Sequence, residues 1–320
     1  MQAVMRTIRE IGLIPVLKVP AVSDARSLAA ALIGGGIPLI EVTLRNAWAL
    51  EVIRTIKTAF PDMTVGAGTV LDPETAESAV EAGADFIVSP GFNAKTVAWC
   101  QNAGVAVIPG CVTPCEIEQG LERGLTVFKF FPAEPNGGLQ AVKLLGGPYP
   151  DVRFIPTGGI TFDNLPDYLG SDRVLACGGS FMATADQIAA RDFDGITASC
   201  RKAVDLSLGF ALAHVGINFE NADGAVRAAE AVAGRFRLPV AEGHSSVFAG
   251  KAVEMMKSPY YGTNGHIGFY TRSVERALAF FRREGIRVKE DSIRTTAQGR
   301  LQSAYLEDEV GGFALHILQK

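Results

Sequence analysis

"TVFKFFPAE" (residues 126–134) reads as a strand with apolar residues on both faces and one lysine, Lys129, set among phenylalanines. A strand lying half in water alternates apolar and polar residues. A strand covered on both faces is apolar throughout, which is the condition of a parallel sheet wrapped by helices. A lysine inside such a strand must reach water, pair with a carboxylate or give up its charge, and the last would make it a nucleophile.

Seven further runs share this continuous apolar character: "LIPVLKV" (13–19), "PLIEVTL" (38–44), "MTVGAGTV" (63–70), "DFIVSP" (85–90), "VAVIPG" (105–110), "RFIPTGG" (153–159) and "RVLACGG" (173–179). Between them lie segments with apolar residues at helical spacing and Ser, Asp or Asn near the start, such as "SDARSLAAALIGGG" (23–36) and "NAWALEVIRTIKTAF" (46–60). Eight β/α units in about 200 residues fit a compact (β/α)8 TIM barrel better than an open doubly wound sheet. The barrel is assigned to residues 1–210, closed by a helix around "FDGITASCRKAVDLSLGFAL" (193–212).

Beyond that point the rhythm changes. "AHVGINFENADGAVRAAEAVAGRF" (213–236) resembles "GHIGFYTRSVERALAFFRREGI" (265–286): each shows His, an apolar residue, Gly and then a helix. Strand-like stretches follow each, "SSVFAGKAVEMMK" and "RLQSAYLEDEVGGFALHILQK". The period is near 52 residues, an internal repeat of a β-α-strands unit, so residues 211–320 read as a separate α+β domain.

The chain has 320 residues, 48% hydrophobic and 20% charged, with net charge −4 and no basic run, which argues against nucleic acid and anionic membrane partners. Nothing resembles a signal peptide or membrane span, and five cysteines in mostly apolar settings read as reduced thiols; a cytoplasmic protein is expected. Cys111 and Cys115 lack a second pair or a nearby histidine, so no zinc site is expected there.

In a (β/α)8 barrel the chemistry sits at the C-terminal ends of the strands. Those ends carry Glu41, Arg45, Thr69, Pro90, Lys129, Thr157-Gly158-Gly159 and Gly178-Gly179-Ser180. Each has a plain structural alternative: Lys129 as a solvated or paired residue, Glu41 with Arg45 as an ion pair, the Gly-Gly pairs as tight turns. Together they describe more. Backbone N–H groups of two Gly-Gly turns and a helix N-terminus suit a phosphate, with Ser180 adding a hydroxyl. A lysine, a glutamate and an arginine across the mouth are what imine chemistry on a 2-oxo acid requires.

"EVTLR" (41–45), "GAGTV" (66–70), "SPG" (89–91), "FKFFPAE" (128–134), "PTGGI" (156–160) and "GGS" (178–180) resemble, in family order, the 2-keto-3-deoxy-6-phosphogluconate (KDPG) and 4-hydroxy-2-oxoglutarate (KHG) aldolases. The resemblance covers about residues 5–208 and implies a class I, metal-free aldolase needing no cofactor. It implies Lys129 as the Schiff-base residue, Glu41 as the proton carrier, Arg45 and Thr69 at the pyruvate carboxylate, Pro90 lining the site, and Gly159 with Ser180 at the phosphate. It also implies a small 2-oxo acid substrate, phosphorylated or not, and a homo-oligomer, typically a trimer. Phe181 follows "GGS" where many relatives have Trp.

In the second half, His214 and His266 open the two repeats while Glu254 and His316 fall on their last strands. This resembles the vicinal-oxygen-chelate (glyoxalase/dioxygenase-like) superfamily, which implies paired βαβββ modules bringing four ligands to one divalent metal, Zn, Ni or Fe for such donors. The superfamily usually ends the set with glutamate, where this chain has His316. The alternative is a metal-free module for packing, assembly or small-molecule sensing. For the whole protein, two other readings compete with an aldolase: a phosphate-binding isomerase or epimerase, and a metal-dependent lyase or dioxygenase centred on the second half.

Overall fold

The computed structural model describes residues 2–320. The chain separates into two compact units, Met1–Ser207 and Leu208–Lys320.

The first unit alternates strands and helices: β1 Leu13–Leu17, β2 Leu39–Thr43, β3 Thr64–Gly68, β4 Phe86–Val88, β5 Ala106–Ile108, β6 Val127–Phe130, β7 Arg153–Pro156 and β8 Cys177–Gly179. Six strands form a parallel sheet in the order β5-β4-β3-β2-β1-β8, and β6 pairs in parallel with β7. Single bridges at Gly110–Lys129 and Thr157–Gly178 link the pair to the two ends of that sheet. The result is a curled parallel sheet with the helices between strands. Both strand faces are covered, as continuous apolar runs require: Leu13, Ile40, Val65, Phe86, Phe128 and Phe154 are fully buried.

Register places the polar residues. Val16 lies opposite Glu41 and Glu41 opposite Gly66, which aligns β1, β2 and β3 at one level. Lys129 is held by its own backbone, its N–H donating to Pro109 O and its C=O accepting from Cys111 N–H. The Gly-Gly pairs differ from one another. Gly158 and Gly159 have φ of 95° and 86°, a turn that only glycine adopts without strain. Gly178 and Gly179 are strand residues, not a turn. A side chain at Gly178 would meet Thr157 Oγ1 at 2.3 Å, and one at Gly179 would meet the Phe181 ring at 2.7 Å.

The closing helix ends earlier than the sequence suggests, running Phe193–Leu208. Gly209 turns with φ 57°, and Ala211 and Leu212, expected to be helical, begin a strand instead.

The second unit reads β9 Ala211–Asn218, a helix Ala222–Phe236, β10 Val240–Glu242, β11 Ser246–Ala249 and β12 Val253–Met256. The order then repeats: β13 Gly265–Thr271, a helix Val274–Arg283, β14 Val288–Thr295, β15 Leu301–Val310 and β16 Phe313–Gln319. One mixed eight-stranded sheet joins them in the order β10-β11-β12-β9-β13-β16-β15-β14, the repeats meeting where β9 runs antiparallel to β13. The strands β10 and β14 are at the sheet edges, and their exposure removes the apolar pattern that announces the others. No helix among the described residues is long and apolar enough to cross a membrane.

Candidate active site

The end of the curled sheet opens into a cavity of about 300 Å³ lined by Glu41, Arg45, Thr69, Pro90, Lys129, Thr157, Gly158, Gly159, Gly179 and Ser180. Gly178 alone of the expected first-unit residues does not line it, because it packs beneath Thr157. Val16, Phe131 and Ile160 also line the cavity and carry no sequence signal beyond sitting at strand ends.

Of the three fates open to Lys129, the structure shows pairing. Its Nζ donates to Glu41 Oε1 at 3.0 Å, with Lys129 6% and Glu41 2% exposed. The ammonium also sits 5.4 Å from the centre of the Phe131 ring. The alternative of a Glu41–Arg45 ion pair is therefore overturned: Glu41 is taken by Lys129, and the Arg45 side chain at the mouth has no partner among the described residues. An exposed guanidinium beside a buried amine is free to receive an anionic group of a ligand.

The glycines of "GAGTV" make this pairing possible. A Cβ at Gly68 would lie 2.1 Å from Glu41 Oε1, so the carboxylate occupies the space a side chain would fill. The next residue, Thr69, holds φ 63°, a left-handed conformation unfavourable for a β-branched residue. Such strain persists only where surroundings over-determine it, commonly at binding sites.

Across the cavity the Gly158-Gly159 turn is clamped. Glu134 N–H donates to Gly158 O, Asn164 Nδ2 donates to Gly159 O at 3.0 Å, and Tyr168 O–H donates to the Glu134 carboxylate. The helices that follow the two glycine-rich segments are short, Leu165–Leu169 and Ala185–Ala189 with five residues each, and Thr184 and Gln187 form a capping box on the second.

In the second unit His214, His266 and His316 converge. His214 Nε2 lies 3.1 Å from His266 Nε2 and 3.2 Å from His316 Nε2, and Glu254 Oε2 lies 3.1 Å from His266 Nε2. The repeat's H-x-G spacing explains how they fit: His266 pairs with Gly216 and His214 with Gly268. A Cβ at Gly216 would meet His266 Cε1 at 2.2 Å, and one at Gly268 would meet His316 Nε2 at 2.6 Å. Each repeat's glycine thus makes room for imidazoles. Burial lowers the pKa of His214, and burial with the neighbouring imidazoles holds His316 down to about 3, so both present neutral lone pairs. Burial opposes the Glu254 carboxylate, but hydrogen bonds from His266 and Ser246 and the two imidazoles keep its pKa below the ordinary value. The three imidazoles form a group whose ligand atoms all lie within 4.8 Å of one another, and Glu254 Oε2 reaches two of them, 3.1 Å from His266 Nε2 and 3.4 Å from His214 Nε2, a donor set that fits a divalent ion. His244 is exposed and takes no part.

A curled α/β sheet with a buried lysine–glutamate pair and a free arginine at its open end defines an enzyme of the carbonyl-acting kind. The chain belongs to the KDPG and KHG aldolase family, whose model matches residues 4–199. The "2-dehydro-3-deoxy-phosphogluconate aldolase" of Treponema pallidum is 47% identical over 206 residues, covering 64% of this chain and 98% of that protein. The KDPG aldolase of Legionella pneumophila, solved with pyruvate captured at low pH as a covalent carbinolamine intermediate, superposes with TM-score 0.61 at 36% identity, over 62% of this chain and 97% of that one. The Zymomonas mobilis ZM4 enzyme, solved with 3-phosphoglycerate, gives TM-score 0.60 at 40% identity, over 64% and 95%.

Proposed function

We infer that the first unit is a class I aldolase that cleaves 2-keto-3-deoxy-6-phosphogluconate reversibly to pyruvate and glyceraldehyde 3-phosphate through a Schiff base on Lys129. The observation that carries this reading is the buried Lys129–Glu41 pair on the cavity wall, 3.0 Å apart, in a chain of this family. Glu41 takes a proton from the ammonium, and the free amine adds to the C2 ketone. Loss of water gives the iminium. A base then removes the C4 hydroxyl proton and the C3–C4 bond breaks. Its electron pair moves into the iminium nitrogen, leaving an enamine on Lys129 and releasing the aldehyde. Protonation at C3, with Glu41 as carrier, and hydrolysis release pyruvate.

Arg45 and the backbone around Thr69 hold the substrate carboxylate, Pro90 closes that side, and Thr157 faces the cleaved bond. The Gly158-Gly159 turn with Gly179 and Ser180 receives the phosphate, Gly178 acting only as spacing beneath Thr157. Because nitrogen accepts the electron pair, the step closes without a metal. KHG cleavage to pyruvate and glyoxylate uses the same machinery and leaves the phosphate end empty. The curled sheet is read as a closed (β/α)8 barrel, supported by the two bridges that join β5 to β6 and β7 to β8. Assembly into a homo-oligomer belongs to the same reading.

Residues 211–320 are read as paired βαβββ modules of vicinal-oxygen-chelate type, supported by their element order. His214, Glu254, His266 and His316 would hold one Zn²⁺, Ni²⁺ or Fe²⁺, which would supply Lewis acidity there. Borohydride added with pyruvate tests the main reading: it should fix a stable adduct on the peptide carrying Lys129, and Lys129→Arg should abolish it. An adduct on Lys18 or Lys143 would overturn the assignment.

A further inference from the structure

The cavity beside the histidine cluster, about 440 Å³, differs from the first in its chemistry. Apart from the three histidines and Glu254 it is lined by Ser245, Phe248, Met256, Tyr260 and Tyr305. Among the described residues no lysine or arginine lines it. Its walls are aromatic: Phe248 meets His214 edge-on with ring centres 6.0 Å apart, Tyr305 stacks on His316 at 4.5 Å and 9°, and Tyr260 lies edge-on to Tyr305 at 6.1 Å.

Charge and shape together select a ligand. A divalent ion carries two positive charges and Glu254 removes one, so the centre would present a single net positive charge in a partly buried pocket whose other lining residues are uncharged side chains or imidazoles. One anionic oxygen group neutralises it. A phosphorylated acid brings two to three negative charges, and no cation lines the cavity to balance the excess. Flat aromatic walls favour a planar apolar body. The first cavity is the opposite case, with Arg45 and Lys129 both lining it.

We propose that the metal centre of the second unit takes a monoanionic oxygen ligand with a flat apolar body, such as an aryl-substituted hydroxy or oxo acid, and excludes phosphorylated acids. This rests on reading the His214–Glu254–His266–His316 cluster as a metal site. The two units then serve separate substrate classes in one chain.

The test loads the full-length protein with Co²⁺, whose visible absorption responds to ligands that reach the ion and not to those in the first cavity. Lactate, mandelate and 3-phosphoglycerate share a 2-hydroxy acid head and differ in the body: a methyl, a phenyl or a phosphorylated group. None carries a ketone that could react with Lys129. Mandelate should perturb the spectrum with a Kd about tenfold below that of lactate, and 3-phosphoglycerate should leave it unchanged. Phe248→Leu and Tyr305→Leu should each erode the mandelate preference while one Co²⁺ per chain is retained. Ser245→Lys, which places a cation at the rim, should admit 3-phosphoglycerate. Equal binding of lactate and mandelate, a response to 3-phosphoglycerate in the parent protein, or an unchanged preference in both aromatic variants overturns the proposal. Failure to bind one Co²⁺ per chain is a separate result, removing the metal reading itself.

Discussion

Gly68→Ala is a one-carbon change that should disable the first site without unfolding it. Gly68 is not in the left-handed region, so its backbone accepts an alanine. The added Cβ would nevertheless fall 2.1 Å from Glu41 Oε1 and 2.8 Å from its Cδ and Cγ. To regain ordinary contact the carboxylate must retreat by roughly 1 Å. Glu41 is 2% exposed, so the displacement falls on its 3.0 Å hydrogen bond to Lys129. A misplacement of about 1 Å in a reacting geometry costs on the order of 10²-fold in rate, or about 2.7 kcal/mol of barrier. The assay is steady-state pyruvate release, run beside thermal melting and borohydride trapping. The expected result is kcat down about a hundredfold, slower trapping at Lys129, and a nearly unchanged Tm. Gly66→Ala is the matched control. Its Cβ would strike the Phe86 ring at 2.2 Å, in the core, so it should lower stability by about 1–3 kcal/mol and leave turnover per folded molecule intact. Parent-like turnover by Gly68→Ala would refute the role given to Glu41.

Other outcomes follow from the same geometry. Arg45→Lys should raise KM by about tenfold or more with a smaller effect on kcat, because an ammonium cannot form the two-pronged contact of a guanidinium; unchanged KM would place the carboxylate elsewhere. Ser180→Asp should depress cleavage of the phosphorylated substrate far more than that of 4-hydroxy-2-oxoglutarate, through charge repulsion, and equal losses would make the glycine-rich end purely structural. EDTA should leave pyruvate release from the full chain unchanged. Zn²⁺ at about a hundredfold over its Kd should stabilise the second unit by about 2.7 kcal/mol in melting experiments, an effect that His316→Ala should remove.

The alternation of apolar runs and helical segments was readable along the first 200 residues because burial on both faces leaves no polar register to hide it. The edge strands β10 and β14 were not readable, since exposure permits sequences such as "VAE" and "VKEDSIRT" that lack any such signal. The helix expected to reach residue 212 stops at Leu208, at a glycine that local propensity does not distinguish from the helical glycine Gly195 nearby.

The sequence by itself marked the candidate residues: a lysine among phenylalanines, an arginine four residues after a glutamate, a Gly-Gly pair at each of the last two strands, and a histidine in each repeat. Their types and order along the chain suffice for that. Who pairs with whom was decided only in three dimensions. Glu41 has Arg45 four positions away and Lys129 88 positions away, yet it bonds the lysine, because parallel register and the missing side chain at Gly68 turn it inward. The same holds for the histidines. Their spacing of 52 residues announced a repeat, but only the antiparallel meeting of β9 with β13 sets each imidazole over the other repeat's glycine and brings three nitrogens to one point. Sequence periodicity fixes which face a residue takes, whereas strand pairing between distant segments fixes its neighbour across that face.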